Sequence, residues 1–192
     1  MHGDHAVSCG YGGERIAKHN HVRDALYQSG MQAHLGAQKE PDGLLPGSDD
    51  RPADILLPFW SNGKDTALDV TVVNPMRADL VERGAREAGA AVQHAFTGKM
   101  AKYDERCARE GIVFLPLAAD TFGGWHEVAL EVIKRLGQQV ARQVGREEEE
   151  AIRQLRQRLG ILLMRDNVAM LASRAPTFPP AEVDGDNDAA YD

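Results

Sequence analysis

Apolar residues recur along the chain with two periods, one typical of strands and the other of helices. Strand-like apolar runs are expected at residues 32–38, 54–60, 66–73 and 112–117. Helical spacing is found at residues 19–32, 78–109, 124–144 and 147–172, with breaks expected near 84–89 and 97–98. The Gly-, Pro- and Asp-rich segment 41–50 predicts a loop. Strands with helices between and after them predict an α/β domain with a mixed central β-sheet flanked by helices.

A tight hairpin turn is predicted at Ser61-Asn62-Gly63-Lys64, because both central residues of a type I′ turn need positive φ and Asn-Gly favours it. If the ends of this segment pair, an uninterrupted ladder places Leu56 opposite Asp69 and Asp54 opposite Thr71. Opposed residues share a sheet face, and alternate residues return to it. The predicted polar face carries Asp54, Leu56, Asp69 and Thr71, and the aliphatic face carries Ile55, Leu57, Leu68, Val70 and Val72.

The predicted polar face brings Asp54 and Asp69 to roughly 5–8 Å from each other. Two carboxylates that close repel each other unless one is protonated or a cation lies between them. Proteins hold Mg²⁺ with one or two carboxylates, together with waters and phosphate oxygens of a substrate. We therefore expect Mg²⁺ or Mn²⁺ at this pair; the alternative is a solvated strand face with two ordinary aspartates. Glu40, which closes the strand before Asp54, is either a third acidic ligand or a solvated strand end.

Lys99 falls within the apolar stripe of the helical segment at residues 78–109. Val92, Phe96, Tyr103 and Cys107 recur there at helical spacing, and the helical wheel places Lys99 between Val92 and Tyr103. A lysine directed at the core is costly unless its stem carries the ammonium out to solvent or it meets an anion. The carboxylate pair or a bound phosphate would supply that anion, so Lys99 is a candidate functional residue.

The order of these residues resembles a known family. Asp54, then Asp69-Val-Thr71 on the next strand, then Lys99-Met-Ala-Lys-Tyr103 on the following helix is similar to the PD-(D/E)xK nuclease superfamily. More narrowly, the chain resembles the restriction-like endonuclease domain at the C-terminus of site-specific non-long-terminal-repeat retrotransposon proteins. Further matching segments are Gly3-Asp-His-Ala-Val-Ser-Cys9, Lys18-His-Asn-His-Val-Arg-Asp24, Arg51-Pro-Ala-Asp54 and Thr121-Phe-Gly-Gly-Trp125.

The resemblance implies a restriction-endonuclease-like fold and a metal-dependent endonuclease that nicks target DNA by phosphodiester hydrolysis. It implies Asp54 and Asp69 as metal ligands, with Lys99, Lys102 and Tyr103 as further catalytic residues. The superfamily's usual lysine, two residues after the second acid, is Thr71 here, so its role would pass to Lys99. Two alternatives stay open: a catalytically inactive nucleic-acid-binding remnant, and a helical protein-interaction module formed by residues 147–172.

Expected partners follow from the same resemblance. They are DNA and the reverse transcriptase portion of a larger polyprotein, in the nucleus or cytoplasm. The amphipathic helix at residues 147–172 could also serve as the surface of a homodimer. No apolar run is long enough to predict a membrane span, and the two cysteines, Cys9 and Cys107, suit a reducing compartment.

The net charge of the chain bears on DNA binding, and the composition of its two terminal segments bears on the domain boundaries. Of the formal net charge of −7, five acids after residue 180 contribute −5, so the rest is nearly neutral and can bind DNA only through a local basic patch. These acids are Glu182, Asp184, Asp186, Asp188 and Asp192. The predicted organisation is a lead-in over residues 1–18, a restriction-like endonuclease domain over 19–174 and a disordered acidic tail over 175–192.

The N-terminal segment raises the question of zinc. His5 and Cys9 lie four residues apart, and relatives in the resembled family carry a Cys-x-x-Cys pair upstream that would complete a zinc site. This chain starts too late to include such a pair, and structural zinc sites normally have four ligands. His19 or His21 could complete a site with His5 and Cys9, but their spacing does not require it. We therefore favour a polar, glycine-rich lead-in, a truncated zinc-knuckle remnant, over a zinc site.

Overall fold

The computed structural model describes residues 13–173. In chain order its helices and strands are α1 (Glu14–Gln32), β1 (Gln38–Lys39), β2 (Ile55–Ser61), β3 (Lys64–Val73), α2 (Val81–Gly84), α3 (Ala90–Arg109), β4 (Val113–Asp120), α4 (Glu127–Val144) and α5 (Glu148–Ala172). The four strands form one sheet in the order β1-β2-β3-β4. The pairs β1-β2 and β2-β3 are antiparallel, and β3-β4 is parallel. The predicted α/β domain with a mixed sheet is thus confirmed, while the restriction-like fold stays a prediction.

Three features differ from those predicted by the sequence. The strand predicted at residues 32–38 is reduced to β1 (Gln38–Lys39), because His34 (φ 54°) and Gly36 (φ 64°) have left-handed backbone that a strand cannot contain. The first helix begins earlier than predicted, since α1 spans Glu14–Gln32 and so includes residues 14–18 of the predicted lead-in. The predicted break near 84–89 is present between α2 and α3, but α3 continues through Gly98 without the second break. The predicted tail at 175–192 and residues 1–12 of the lead-in lie outside the described residues.

The hairpin turn is confirmed, but its predicted ladder is wrong beyond the first pair. Asn62 (φ 52°) and Gly63 (φ 73°) fill the turn, and Ser61 pairs with Lys64. The ladder then shifts by two residues, because Pro58-Phe59-Trp60 on β2 bulges opposite Asp65 alone. Proline has no N–H to donate, and the N–H of Phe59 (φ 55°) is taken by Asp65 Oδ1 at 3.0 Å. The bulge thereby ends the regular ladder.

The corrected register leaves the two predicted faces intact. Leu56 lies opposite Ala67 and not Asp69, and Asp54 precedes β2 and donates its N–H to the carbonyl of Leu68, not opposite Thr71. Because the shift is an even number of residues, each side chain keeps its predicted face. The aliphatic face packs in the main core formed with α1, α4 and α5; its strand members are Ile55, Leu57, Leu68, Val70 and Leu117.

The opposite face of the sheet packs against α3 in a smaller core. Leu56, Ala67 and Phe114 contribute from the strands, while Tyr103 and Cys107 contribute from the helix. A short cluster of Val73 and Ala118 with Leu80, Ala91 and Val92 extends this packing toward the carboxyl ends of β3 and β4. The helix that carries Lys99 is therefore fixed directly over the strand that carries Asp69.

The C-terminal helix α5 has two apolar faces. Leu155, Leu159 and Leu163 are buried in the main core, as the amphipathic pattern predicted. A second row, which the sequence pattern did not single out, is exposed to solvent: Ile161, Met164, Val168 and Leu171. Among residues 13–173, no helix has the length and apolar character needed to cross a membrane.

Candidate active site

A cleft of about 970 Å³ opens where the parallel strands β3 and β4 end. It lies between the N-terminal half of α1 and the first half of α3, and crevices at the carboxyl ends of parallel strands are common ligand sites. Four cationic residues line it: Arg15, Lys18, Arg77 and Lys99. None of the described residues that line it is acidic, although the whole chain has a net charge of −7. The lining is therefore cationic, although Lys99 and Arg77 are each paired with an aspartate outside it, and it suits an anionic ligand.

Asp69 and Lys99 form an ion pair at one wall of this cleft. Lys99 Nζ lies 2.9 Å from Asp69 Oδ1, and the hydroxyl of Thr71 donates to Asp69 Oδ2 at 3.2 Å. Burial raises the pKa of Asp69 above its ordinary value, the charge of Asp54 raises it further, and Lys99 offsets only part of this. The carboxylate at position 69 is thus held in a place where negative charge is unfavourable without a cation.

Lys99 faces the sheet, as its place in the apolar stripe of α3 predicted. The flanking residues Val92, Tyr103 and Cys107 are buried, and the ammonium of Lys99 lies 5.8 Å from the centre of the Tyr103 ring. Its side chain is 33% exposed, and its head is bound to Asp69 instead of extending freely into solvent. A core-directed lysine either extends its ammonium to solvent or pairs with an anion. Lys99 pairs with an anion.

Asp54 reaches the same group of residues from the segment before β2. Its Oδ2 accepts the N–H of Val70 at 2.6 Å and lies 3.1 Å from Nε2 of His19 on α1. The hydrogen bond to Asp54 raises the pKa of His19, against an opposing effect of burial. The other ring nitrogen faces Asn20 Oδ1 at 3.3 Å, so both nitrogens of a protonated imidazole would have an acceptor. His19 thus forms with Asp54 a second pair, equivalent to Lys99 with Asp69.

The other predicted site residues lie apart from this group. Glu40 has a left-handed backbone (φ 48°), and its carboxylate pairs with the buried guanidinium of Arg23. Lys102 lies 3.5 Å from Asp50 and 4.6 Å from the centre of the Tyr103 ring. Tyr103 is buried edge-on against Phe114. Asp54 and Asp69 are themselves absent from the cleft lining, but each is bonded to a residue that lines it, His19 and Lys99 respectively. The structure therefore places Asp54, Asp69 and Lys99 at the cleft, whereas Glu40 and Lys102 pair elsewhere and Tyr103 is buried in the smaller core.

A buried polar network beside the cleft was missed by sequence reasoning. Lys18 is only 3% exposed, and its Nζ donates to Asn167 Oδ1 on α5 at 2.5 Å. The amide of Asn167 in turn donates to the carbonyl of Thr121 at 2.6 Å. This network ties α1 and α5 to the end of β4, so it fixes one wall of the cleft. The motif Lys18-His-Asn-His contained Lys18 and His19, but nothing in one sequence shows that Asn167 lies beside them.

The donors that could hold a Mg²⁺-type ion are the carboxylates of Asp54 and Asp69. Within the described part of the chain, no group of three or more His, Cys, Asp or Glu side chains is arranged to hold a metal ion. Mg²⁺ requires only one or two carboxylates when waters and substrate phosphates complete its shell, which Asp54 and Asp69 can provide. Of the residues considered for zinc, His19 bonds to Asp54 and His21 to Asp166, while His5 and Cys9 lie outside the described residues.

Comparisons with known proteins do not point to a family. No protein-family model matches the chain, and a search of curated protein sequences finds no significant match. The function is therefore inferred from the residues of the cleft and from the motif pattern in the sequence.

Proposed function

We propose that the chain is a restriction-like, Mg²⁺- or Mn²⁺-dependent endonuclease of retroelement origin that nicks DNA by phosphodiester hydrolysis. One observation carries the proposal: His19 and Lys99, which line a cleft rich in cations, are bonded to Asp54 and Asp69 directly behind the lining. Basic residues on the cleft attract the DNA backbone, and the two carboxylates give a cation a place beside the bound phosphate. The motif order Asp, Asp-x-Thr and Lys-x-x-Lys-Tyr supports the same class.

Each residue has a distinct role in this proposal. A divalent ion held by Asp54 and Asp69 would stabilise negative charge on the phosphate and lower the pKa of a bound water. Lys99, bonded to Asp69, orients the attacking water or stabilises the charge that develops on phosphate oxygens. Thr71 holds Asp69 Oδ2, and His19 holds Asp54 Oδ2. The attacking water forms the new P–O bond and gives up a proton, while the P–O bond to the leaving oxygen of the DNA strand breaks and that oxygen takes up a proton.

Lys99 takes the place of the lysine that the superfamily usually carries two residues after the second acid. Thr71 occupies that position and reaches Asp69 only with its hydroxyl. An ammonium at 2.9 Å from Asp69 supports transfer of the role to α3. The competing proposal, an inactive nucleic-acid-binding remnant, keeps the basic cleft but not the hydrolysis.

The proposed partners are DNA, the reverse transcriptase portion of a larger polyprotein, and a second copy of the chain. The exposed apolar row on α5 is where association with a second copy can be tested. Its four members follow the 3-4-3 spacing of a coiled-coil seam. If this row pairs two copies, Val168→Glu should convert a dimer to a monomer in light scattering; a monomeric wild-type chain at micromolar concentration would refute it.

The decisive experiment is nicking of plasmid, linear and branched DNA with Mg²⁺, Mn²⁺ or EDTA. Wild-type chain should nick with either metal and not with EDTA, and Asp69→Asn should abolish nicking. Asp65→Asn is the matched control, because Asp65 lies on the same strand but at the hairpin bulge, away from the cleft. Metal-independent DNA binding without nicking would support the inactive remnant instead.

A further inference from the structure

The cleft continues beyond the two carboxylates toward the start of α1. From His19 to Arg15 is one helical turn, about 6 Å along the axis. Thr71 and Val73, two strand residues apart along β3 and separated by roughly 6.6 Å, both line the cleft. Arg15, Val73 and Thr121 all line this far end, with Gly13 at the first turn of α1. The cleft is thus long enough for more than one phosphate group.

The far end presents donors that lack acceptors within the described structure. Thr121 is 3% exposed, and its hydroxyl has no hydrogen-bond partner among residues 13–173. A buried hydroxyl without a partner is unfavourable, and an acceptor on a ligand in the cleft that Thr121 lines would satisfy it. Arg15 is exposed and forms no ion pair with any described residue.

The first turn of α1 adds a third source of donors. Its N-cap is Gly13, which provides no side-chain hydrogen bond to the first amides of this 19-residue helix. Such amides, together with the helix dipole, favour an anion. The acid in that turn, Glu14, does not line the cleft and accepts a hydrogen bond from Ser173. The donors of the far end are therefore not opposed by a carboxylate on the lining.

We propose that Arg15, Thr121 and the first turn of α1 form a phosphate-binding subsite, distinct from the Asp54-Asp69 centre and about one helical turn from it. The ligand is a phosphate group with oxygens free to accept hydrogen bonds. Successive phosphates of one DNA strand are spaced by roughly 3.4 Å of helix axis, so a phosphate one or two nucleotides from the cleaved bond fits this separation. With a DNA phosphate as its ligand, the subsite rests on the proposed nuclease function. A free phosphate ion would bind the same donors without that function.

The test measures binding without cleavage. A fluorescent DNA oligonucleotide is titrated in EDTA with wild type, Arg15→Gln, Thr121→Val and Arg156→Gln. The last is the matched control, since Arg156 is exposed near the start of α5, away from the cleft. We expect Arg15→Gln to weaken binding roughly tenfold, as for loss of one charge-assisted hydrogen bond. Arg15→Gln should also reduce the slope of log K against log salt by roughly 0.7 to 0.9.

Thr121→Val separates a ligand contact from a merely structural hydroxyl. Valine has nearly the same shape but no unpartnered oxygen, so the melting temperature should stay equal or rise. Binding should nevertheless weaken about threefold or more, a loss that a structural role would not cause. If both cleft variants bind DNA and inorganic phosphate as wild type does, the subsite is overturned.

Inorganic phosphate distinguishes the two sources of ligand. A rise in melting temperature with phosphate in wild type and Arg156→Gln, but not in Arg15→Gln, would show that the subsite accepts the free ion. A response to the oligonucleotide alone would assign it to the DNA backbone. Because no step requires cleavage, an Arg15-dependent response from a chain that does not nick would support the subsite while contradicting the proposed nuclease.

Discussion

Asp54 and Asp69 are two carboxylates at one site, but they differ in burial and in the cationic side chain that each one contacts. Asp69 lies within β3, is 8% exposed and is paired with a lysine from α3. Asp54 lies before β2, is 18% exposed and is paired with a histidine from α1. One acid is thus paired with a lysine ammonium, and the other with a histidine, the side chain whose ordinary pKa lies closest to neutral pH. The charge on the His19 side of the site therefore depends on pH.

The pKa shifts of His19 and Asp69 change the stability of the folded state in the same direction with pH. Both His19 and Asp69 have a raised pKa, so the folded state binds their protons more tightly than the unfolded chain does. The stabilisation that each proton adds to the folded state is fully present below the pKa of the unfolded chain, about 6.5 for histidine and about 3.9 for aspartate. It is lost as pH rises through the higher pKa of the folded state. At neutral pH the ionised Asp69 consequently opposes folding.

The largest expected effect comes from removing the ammonium of Lys99. Lys99→Met keeps the apolar stem but removes the ammonium, so nicking should fall by about 10²-fold or more, the scale for loss of one electrostatic stabiliser. Stability should also fall, because the buried carboxylate of Asp69 loses its partner. Single-turnover nicking measures the rate and thermal melting the stability. A variant that nicks at the wild-type rate would remove Lys99 from the mechanism.

A partial rescue should follow when the charge is restored from the strand. Thr71 contacts the same carboxylate as Lys99, from two residues along β3. Thr71→Lys in the Lys99→Met background should therefore recover roughly tenfold of the lost rate. Thr97→Lys in that background is the control, since Thr97 is an exposed residue of the same helix. Equal rates from both double variants would show that general positive charge, not contact with Asp69, is what matters.

Neutralising Asp69 and neutralising Asp54 should change the free energy of unfolding in opposite directions. Without metal, Asp69→Asn should raise the free energy of unfolding by about 1 kcal/mol, or about 2–4 °C in melting temperature, because it removes an unfavourable buried charge. Asp54→Asn should lower it by a similar amount, because it weakens the bonds to His19 and the N–H of Val70.

Added Mg²⁺ or Mn²⁺ makes the same pair of variants a test of the metal site. Binding to the folded state should raise the melting temperature of wild type and of neither variant. An equal rise in all three proteins would show that the ion binds elsewhere and would contradict the assignment of Asp54 and Asp69.

The smallest expected effect concerns the titratable pair. His19→Gln should flatten the decline of melting temperature as pH rises from about 6 to 9, because the glutamine cannot carry the proton that stabilises the wild type. The difference should be about 1 kcal/mol or less, since His19 is partly exposed. Thermal melts of both proteins across this pH range measure it. Parallel curves would mean that the His19-Asp54 pair does not depend on its charge.

The sequence predicts most of the local features of this site and few of its long-range contacts. Asn62-Gly63 defines the hairpin and the apolar stripe of α3 directs Lys99 inward, because turn geometry and helical periodicity are local properties. The bulge at Phe59 was not foreseen, since it depends on how Asp65 meets the facing strand. His19 beside Asp54 and Asn167 beside Lys18 join elements far apart in the chain, and one sequence contains no signal for such pairs.

The bulge in the hairpin also determines which changes of chain length the site can accept. It sets three residues, Pro58-Phe59-Trp60, against one, which is a surplus of two. Inserting or deleting a single residue there would turn the rest of β2 over, moving Leu56 to the main core and Ile55 to the side of α3. A change of two residues would leave every side chain on its present face and alter only its partner across the strand. Among length variants of this hairpin, those that differ by an even number of residues should therefore preserve the site, and those that differ by an odd number should lose it.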